Sequence, residues 1–274
     1  MKRLIILTFA VLSIAACTSN TSSVFSVATG EEALSNHGIN SVVITYYNFK
    51  DGEWEIDQNG IRDTILYMPN GLLAEKGNAH SRKRYVYKYD SLNRIDTVFT
   101  YLYAGRPLNN SFDGYQVYKY DDLNRISRLF EYDEDGAEKN VSLYRYSNNK
   151  RTVENFEKMY TNGTKQYTTT EVCKGGYVVE STYKSQYYDN TTRYEYNASG
   201  ELIKDVTTYK DDDGKSVSTF NYENGLVLNS DYSDGDGRLY EYEFNDKGEW
   251  IKCEVFSKKG HTPTSKTIRE IEYY

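Results

Sequence analysis

From Ile39 to the end of the chain, large apolar residues and polar ones alternate almost one for one, as in YVYKY (Tyr85 to Tyr89), YEYNA from Tyr194 and YEYEF from Tyr240. Side chains on an extended strand point to opposite faces in turn, so this period of two predicts half-buried β-strands. The alternating runs break at short clusters of Asp, Asn and Gly, the residues that close tight turns. Proline is nearly absent, with 3 in 274 residues, and no apolar spacing of three and four marks a helix. The pattern predicts antiparallel strands joined in sequence order.

The strands also repeat. YKYDSLNRI (Tyr87 to Ile95) returns as YKYDDLNRI (Tyr118 to Ile126), with one position changed. Looser copies follow as YRYSNNKRT from Tyr144, YEYNASGEL from Tyr194, FNYENGLVL from Phe220 and YEFNDKGEW from Tyr242, and TEVCKGGYV from Thr170 keeps the turn and spacing. YNFKDGEWE from Tyr47 and LYMPNGLLA from Leu66 resemble earlier copies. In each, Tyr-x-Tyr sets two rings on one face. Asp or Asn then opens a turn, and Gly or Asn three residues on closes it. A second strand follows with large residues such as Ile95, Val98 or Phe99, Tyr101 and Tyr103. One repeat therefore predicts one β-hairpin. A lone hairpin is unstable in water, and repetition lets each pair with the next.

The first residues change the picture of address. Lys2 and Arg3 precede an apolar run, Leu4 to Leu12, too short to cross a bilayer, and Ile14-Ala15-Ala16 stands before Cys17. The segment reads as a signal peptide, residues 1–16, and its end resembles a bacterial lipobox. That resemblance makes Cys17 the lipid attachment residue. Residues 17–38, rich in Ser, Thr and Asn, read as a flexible tether, and residues 39–274 as the repeat domain. Thr18 after the cysteine agrees with sorting to the outer membrane, and the tether lacks an acidic run resembling a surface-export tag, which favours the periplasmic side.

Charge and cysteines narrow the functions. The formal net charge is −7, which argues against nucleic acid as a partner, since that requires basic patches. Cys173 and Cys253 stand in an oxidising compartment, where a bridge is permitted but spacing alone cannot pair them.

YxYDxxGRI-like copies along an exported chain resemble the YD repeats of Rhs proteins, with Asn93 and Asn124 at the usual glycine and Arg94 and Arg125 at the usual arginine. In large Rhs proteins such repeats form a β shell around a toxin. This chain is too short for that and ends in EIEYY, so the shell function is not carried over. A nearer resemblance is to small Tyr-rich lipoproteins of Bacteroidetes type, a family of unknown function, some with a porin-like barrel shape. The resemblance implies an all-β antiparallel meander of about 14 to 18 strands, curled into an open or nearly closed barrel. The strands are too polar for a lipid-facing band.

Candidate chemistry is sparse. His37, His80 and His261 are far apart and show no ligand spacing; no metal or cofactor is expected. Asp211 to Asp213 and Asp231 to Asp236 offer oxygens to calcium, yet lack the ligand pattern of a calcium loop and suit turns better. The aromatics are the candidates, with 29 Tyr and with Trp54 and Trp250 in matching settings, DGEWE and KGEWI. Flat rings stack on sugars and fill interfaces. The expectation is a non-catalytic binding or scaffold module for a glycan or envelope protein, with Trp54 and Trp250 as ligand-binding residues. An envelope enzyme acting on polysaccharide, or a purely structural role, is the alternative.

Overall fold

The computed structural model describes residues 38–57, 62–78, 81–104, 109–157, 164–211 and 214–274. Residues 1–37, with Cys17 and His37, lie outside this set, as do His80, Asp212 and Asp213. Among the described residues every element is a β-strand. They are β1 (Ile39–Lys50), β2 (Glu53–Ile56), β3 (Asp63–Tyr67), β4 (Leu73–Asn78), β5 (Lys83–Tyr89), β6 (Ile95–Ala104) and β7 (Asn109–Tyr120). Next come β8 (Ile126–Tyr132), β9 (Glu138–Ser147), β10 (Lys150–Glu157), β11 (Thr164–Lys174), β12 (Tyr177–Ser185) and β13 (Asp189–Tyr196). The chain finishes with β14 (Leu202–Asp211), β15 (Gly214–Glu223), β16 (Leu226–Tyr232), β17 (Gly237–Phe244), β18 (Trp250–Ser257) and β19 (Pro263–Tyr273).

Apart from β2 and β3, each strand pairs antiparallel with its successor, and β19 pairs with β1 from Tyr273 opposite Ile39 to Ser265 opposite Asn48. The meander therefore closes. β2 and β3 lie end to end beside β1, so the 19 strands make a wall of 18 positions. The expected open or nearly closed barrel is a closed one. Partner to partner from Val42, the register runs through Ile65, Lys76, Tyr85 and Thr100 to Gly114. That path climbs from near the start of β1 to the middle of β7, which is the stagger of a tilted, closed sheet. At ~4.8 Å between strands, such a wall is about 30–35 Å across if circular.

The Tyr-x-Tyr rings face inward. Tyr87 pairs with Val98 and Tyr118 with Leu129, and their face holds the buried cluster of Ile95, Val98, Tyr118 and Ile126. Side chains converge on the concave side of a closed wall and splay on the convex side, so the better-buried face is the inner one. A second cluster joins Ile39, Val42, Ile44, Ile65, Tyr67 and Leu73 across the closure. Both clusters draw on neighbouring strands, so the core is a layer along the wall. The outer face carries exposed charge well within the strands, including Lys88, Lys119, Arg128, Arg193, Glu241 and Glu243.

Most repeat hairpins share one turn. Asp90 Oδ1 accepts from the backbone N–H of Leu92 and Arg94, Asn93 donates to the Asp90 carbonyl, and Asn93 takes φ +58. The same bonds recur around Asp121, and in part around Asn197 and Asn245, where Gly200 and Gly248 hold the positive φ. A β-bulge follows each of these turns, between Lys88/Tyr89 and Lys119/Tyr120 for example. The bulge explains why Val98 points in while Phe99 and Tyr101 point out: it inserts a residue and resets the alternation.

All these turns lie at one end of the barrel, here the near rim, where the wall begins at Gly38 and Tyr274 donates its N–H to the Gly38 carbonyl. Turns such as Asp133–Ala137 and Lys258–Thr262 lie at the far rim. The stretch from Tyr47 is out of phase with the other copies, since its turn, Asp51-Gly52, falls at the far rim. Cys173 and Cys253 do not bridge. They lie on β11 and β18, and Cys253 is a free buried thiol whose pKa burial pushes up to about 11.

Candidate functional site

The inner tyrosines at the repeats are structural. In four of the repeats the second Tyr donates its hydroxyl to a backbone carbonyl near the start of the preceding hairpin's second strand. Thus Tyr89 reaches Leu73, Tyr120 reaches Ile95, Tyr146 reaches Ile126 and Tyr196 reaches Val178, at 2.7 to 2.8 Å. The motif arginine completes the join. Arg94 pairs with Asp90 at 2.6 Å, lies 4.2 Å over the Tyr120 ring and donates to Asn124 of the next turn at 2.6 Å. Arg125 repeats this with Asp121 and Tyr146. Burial pushes the Tyr120 and Tyr146 hydroxyls up to about 12.

Several inner polar side chains of the wall are also engaged. Glu131 accepts from Gln116 and from Asn140, both at 2.7 Å, and Arg151 pairs with Glu171 at 2.6 Å. Tyr222 donates to Asp205 at 2.5 Å.

Toward the far rim the inner tyrosines change character. Tyr167 and Tyr183 stack at 5.2 Å with planes 28° apart, and Tyr183 and Tyr188 stack at 5.2 Å and 22°. Cross-strand partners run Tyr183–Asn190–Tyr209, which sets an amide between two rings on the inner face at the barrel mouth. Tyr187 is 74% exposed, Tyr188 45% and Tyr209 38%. Tyr167, Tyr183 and Tyr209 lie outside the Tyr-x-Tyr motifs, and the turn Gln186–Tyr188, which adds two more rings, carries no repeat signature.

Outside, a second aromatic surface spans β6 to β8. Tyr115 and Tyr132 stack at 4.7 Å and 13°, Phe112 adjoins Tyr101 and Tyr115, and Phe99 and Phe130 extend the group. Lys88 sits 4.8 Å over Phe99 and Arg84 5.4 Å over Tyr101.

The structure does not bring Trp54 and Trp250 together. Trp54 pairs with Phe49 on the outer face, beneath Lys266 at 4.5 Å; Trp250 pairs with Phe244 on the inner face, beneath Arg269 at 4.3 Å. Their matching sequences end different turns. Asp51-Gly52 is a two-residue turn with positive φ at both positions, whereas Asn245–Glu249 is a longer turn followed by a bulge. His261 lies against Phe256 at 4.5 Å, and Asp231 pairs with Lys258 at 2.6 Å in a strand end leading to a tight turn. Asp211 ends β14, and the rest of that acidic run lies outside the described residues. Among the described residues, no three His, Cys, Asp or Glu side chains group to hold a metal.

No family model matches the chain, and no curated protein does. Among solved structures, it is similar to a porin-like protein from Bacteroides uniformis at 14% identity, over 85% of this chain and 96% of that one, with TM-score 0.46. A porin-like protein from Bacteroides vulgatus is similar at 11% identity, over 84% and 97%, with TM-score 0.38. A TcdB2-TccC3 structure is similar at 12% identity over 82% of this chain but 11% of that one, with TM-score 0.26. At these values the likenesses carry no argument about activity, and the closed barrel is read from the strand pairing alone.

Proposed function

We propose that this is a lipid-anchored outer-membrane protein of the YD-repeat, Tyr-rich type, and that its barrel binds a glycan at the far-rim mouth without catalysis. The observation that carries the reading is the cluster of Tyr167, Tyr183, Tyr188 and Tyr209 around Asn190, with exposed rings on the concave side. Rings offer flat apolar faces to a sugar, and an amide between them supplies both a donor and an acceptor. The repeat tyrosines deeper in the wall are tied to backbone carbonyls and hold the hairpins together. The inner carboxylates Glu131, Glu171 and Asp205 are each already engaged, which favours binding over hydrolysis. Exposed charges on the outer face support a wall in water, attached through Cys17, because each Lys or Arg would cost about 2–4 kcal/mol at a bilayer midplane.

Calorimetric titration against envelope and host oligosaccharides tests this. Wild-type protein should bind at least one class, and Tyr188→Ala or Tyr209→Ala should weaken it by roughly tenfold, about 1.4 kcal/mol, with the barrel still folded. Binding that both variants retain would remove the mouth as the site. If no glycan bound, the outer ring cluster on β6 to β8 would become the better surface, with an envelope protein as its partner. Protease shaving of intact cells would then separate a periplasmic from a surface location.

A further inference from the structure

The exposed large apolar side chains sort by rim and by type. Among the described residues, the exposed aliphatics are Ile56, Leu66, Leu92, Leu123, Val172, Ile203 and Leu228. All but Ile56 lie in the near-rim turns or within three residues of the near-rim ends of their strands. The exposed aromatics are Tyr46, Phe112, Tyr187, Tyr188, Tyr209 and Tyr274, and all but Tyr274 lie in the far half. Single exposed apolar residues are ordinary on any protein surface. Segregation by end is not.

The near-rim aliphatics are also spread around the circumference, on β3, β11, β14 and β16 and in the β5–β6 and β7–β8 turns. A ring of contacts around one rim suits a broad partner surface. Leu92 and Leu123, 60% and 57% exposed, project from two turns that Arg94 and Asn124 bond to each other. The 37 residues that precede the wall reach it at Gly38, on this same rim, where Tyr274 is 60% exposed. Exposed Lys150, Lys174 and Lys247 share the rim with Asp122, Glu223 and Asp246, so net charge does not select the partner.

We infer that the near rim rests on a lipid bilayer, with the Leu, Val and Ile side chains entering the boundary between headgroups and acyl chains. Aliphatic side chains gain by leaving water there, and neighbouring lysines can bury their stems while keeping their charge wet. This inference rests on the lipid-anchored reading. It adds an orientation: the barrel stands on its repeat turns, with the tyrosine mouth held away from the membrane.

The test uses the full acylated chain in vesicles of phosphatidylethanolamine and phosphatidylglycerol. Leu92→Trp and Leu123→Trp report the near rim and Tyr187→Trp the far rim, each read as a difference from the parent, which holds Trp54 and Trp250. Brominated acyl chains should quench both near-rim reporters several-fold more than the far-rim one, with blue-shifted emission. Equal, weak quenching in protein that floats with the vesicles would overturn the seating while leaving the anchor intact. Lipid-independent pairing of two chains that buries Leu92 would overturn it in favour of a second copy. Should the chain prove not to be acylated, flotation of the parent fails. The same reporters on protein added to the vesicles then decide, a blue shift supporting the seating and its absence ending it.

Discussion

Arg94 shows how much one repeat position carries. Its guanidinium neutralises Asp90, covers the Tyr120 ring and bonds Asn124, so one side chain joins two hairpins. Arg94→Ala should cost about 1–2 kcal/mol, measured by urea unfolding, because a charge-assisted bond and a cation–π contact go together. Arg94→Lys should recover part of that loss. Asp90 and Asp121 gain in the same junctions: burial alone would raise their pKa values, and bonds from the backbone and guanidinium of the next arginine outweigh it, leaving both lowered. A lowered carboxylate stabilises above its unfolded value, ~3.9, and that stability is lost as pH falls through the folded value. Replacing both arginines should therefore make acid unfolding begin at higher pH, seen by circular dichroism. Asp205 has the opposite sign. Burial raises its pKa, and the Tyr222 bond offsets only part of the rise. Its contribution is present at low pH and is lost as pH climbs through the raised value. Asp205→Asn keeps an acceptor for Tyr222, so it should raise Tm at pH 8 and leave it nearly unchanged at pH 3. The Asp-to-Gly/Asn spacing was legible in the sequence because the turn needs those residue types. The hydroxyl-to-carbonyl bond was not, since any residue supplies the carbonyl.

Between hairpin and strand, the bulges decide which rings meet. Alternation placed Tyr87 and Tyr89 on one face, as found, but left Val98 or Phe99 open. The bulge after each repeat turn has no residue of its own; Asp96, Ser127, Ile203 and Leu228 occupy equivalent extra positions. For the same reason Trp54 and Trp250 read alike in sequence and face opposite ways. Gly114 marks another irregularity in β6–β7, where Asp113 is looped out and pairs with Lys83 at 2.9 Å. A Cβ on Gly114 would meet the Tyr132 carbonyl at 2.1 Å, and its φ is +134. Gly114→Ala should cost about 2–4 kcal/mol, since a backbone clash adds to conformational strain. The Tyr115–Tyr132 stack stands beside it, so near-ultraviolet dichroism should fall along with stability. Unchanged unfolding would show that β7 relaxes freely at this point.

For the whole barrel, the repeat predicted a meander and its curl followed from resemblance, whereas closure depends on whether the first and last strands match. β1 and β19 match through a long register that buries Val42, Ile44 and Arg269, and no local pattern announces a partner more than 200 residues away. That pairing has a temporal consequence. Synthesis delivers β1 first and β19 last, so the first strand waits with one unpaired edge until the chain is complete. Open edges recruit other strands, and pairings distant along the chain form slowly. Removing residues 263–274 should leave two permanent edges. Such a chain should appear in light scattering as swapped dimers or larger species, while a monodisperse monomer would show that the meander holds without its clasp. The interval between the arrival of Ile39 and that of Tyr273 is then when a chaperone matters most to this protein.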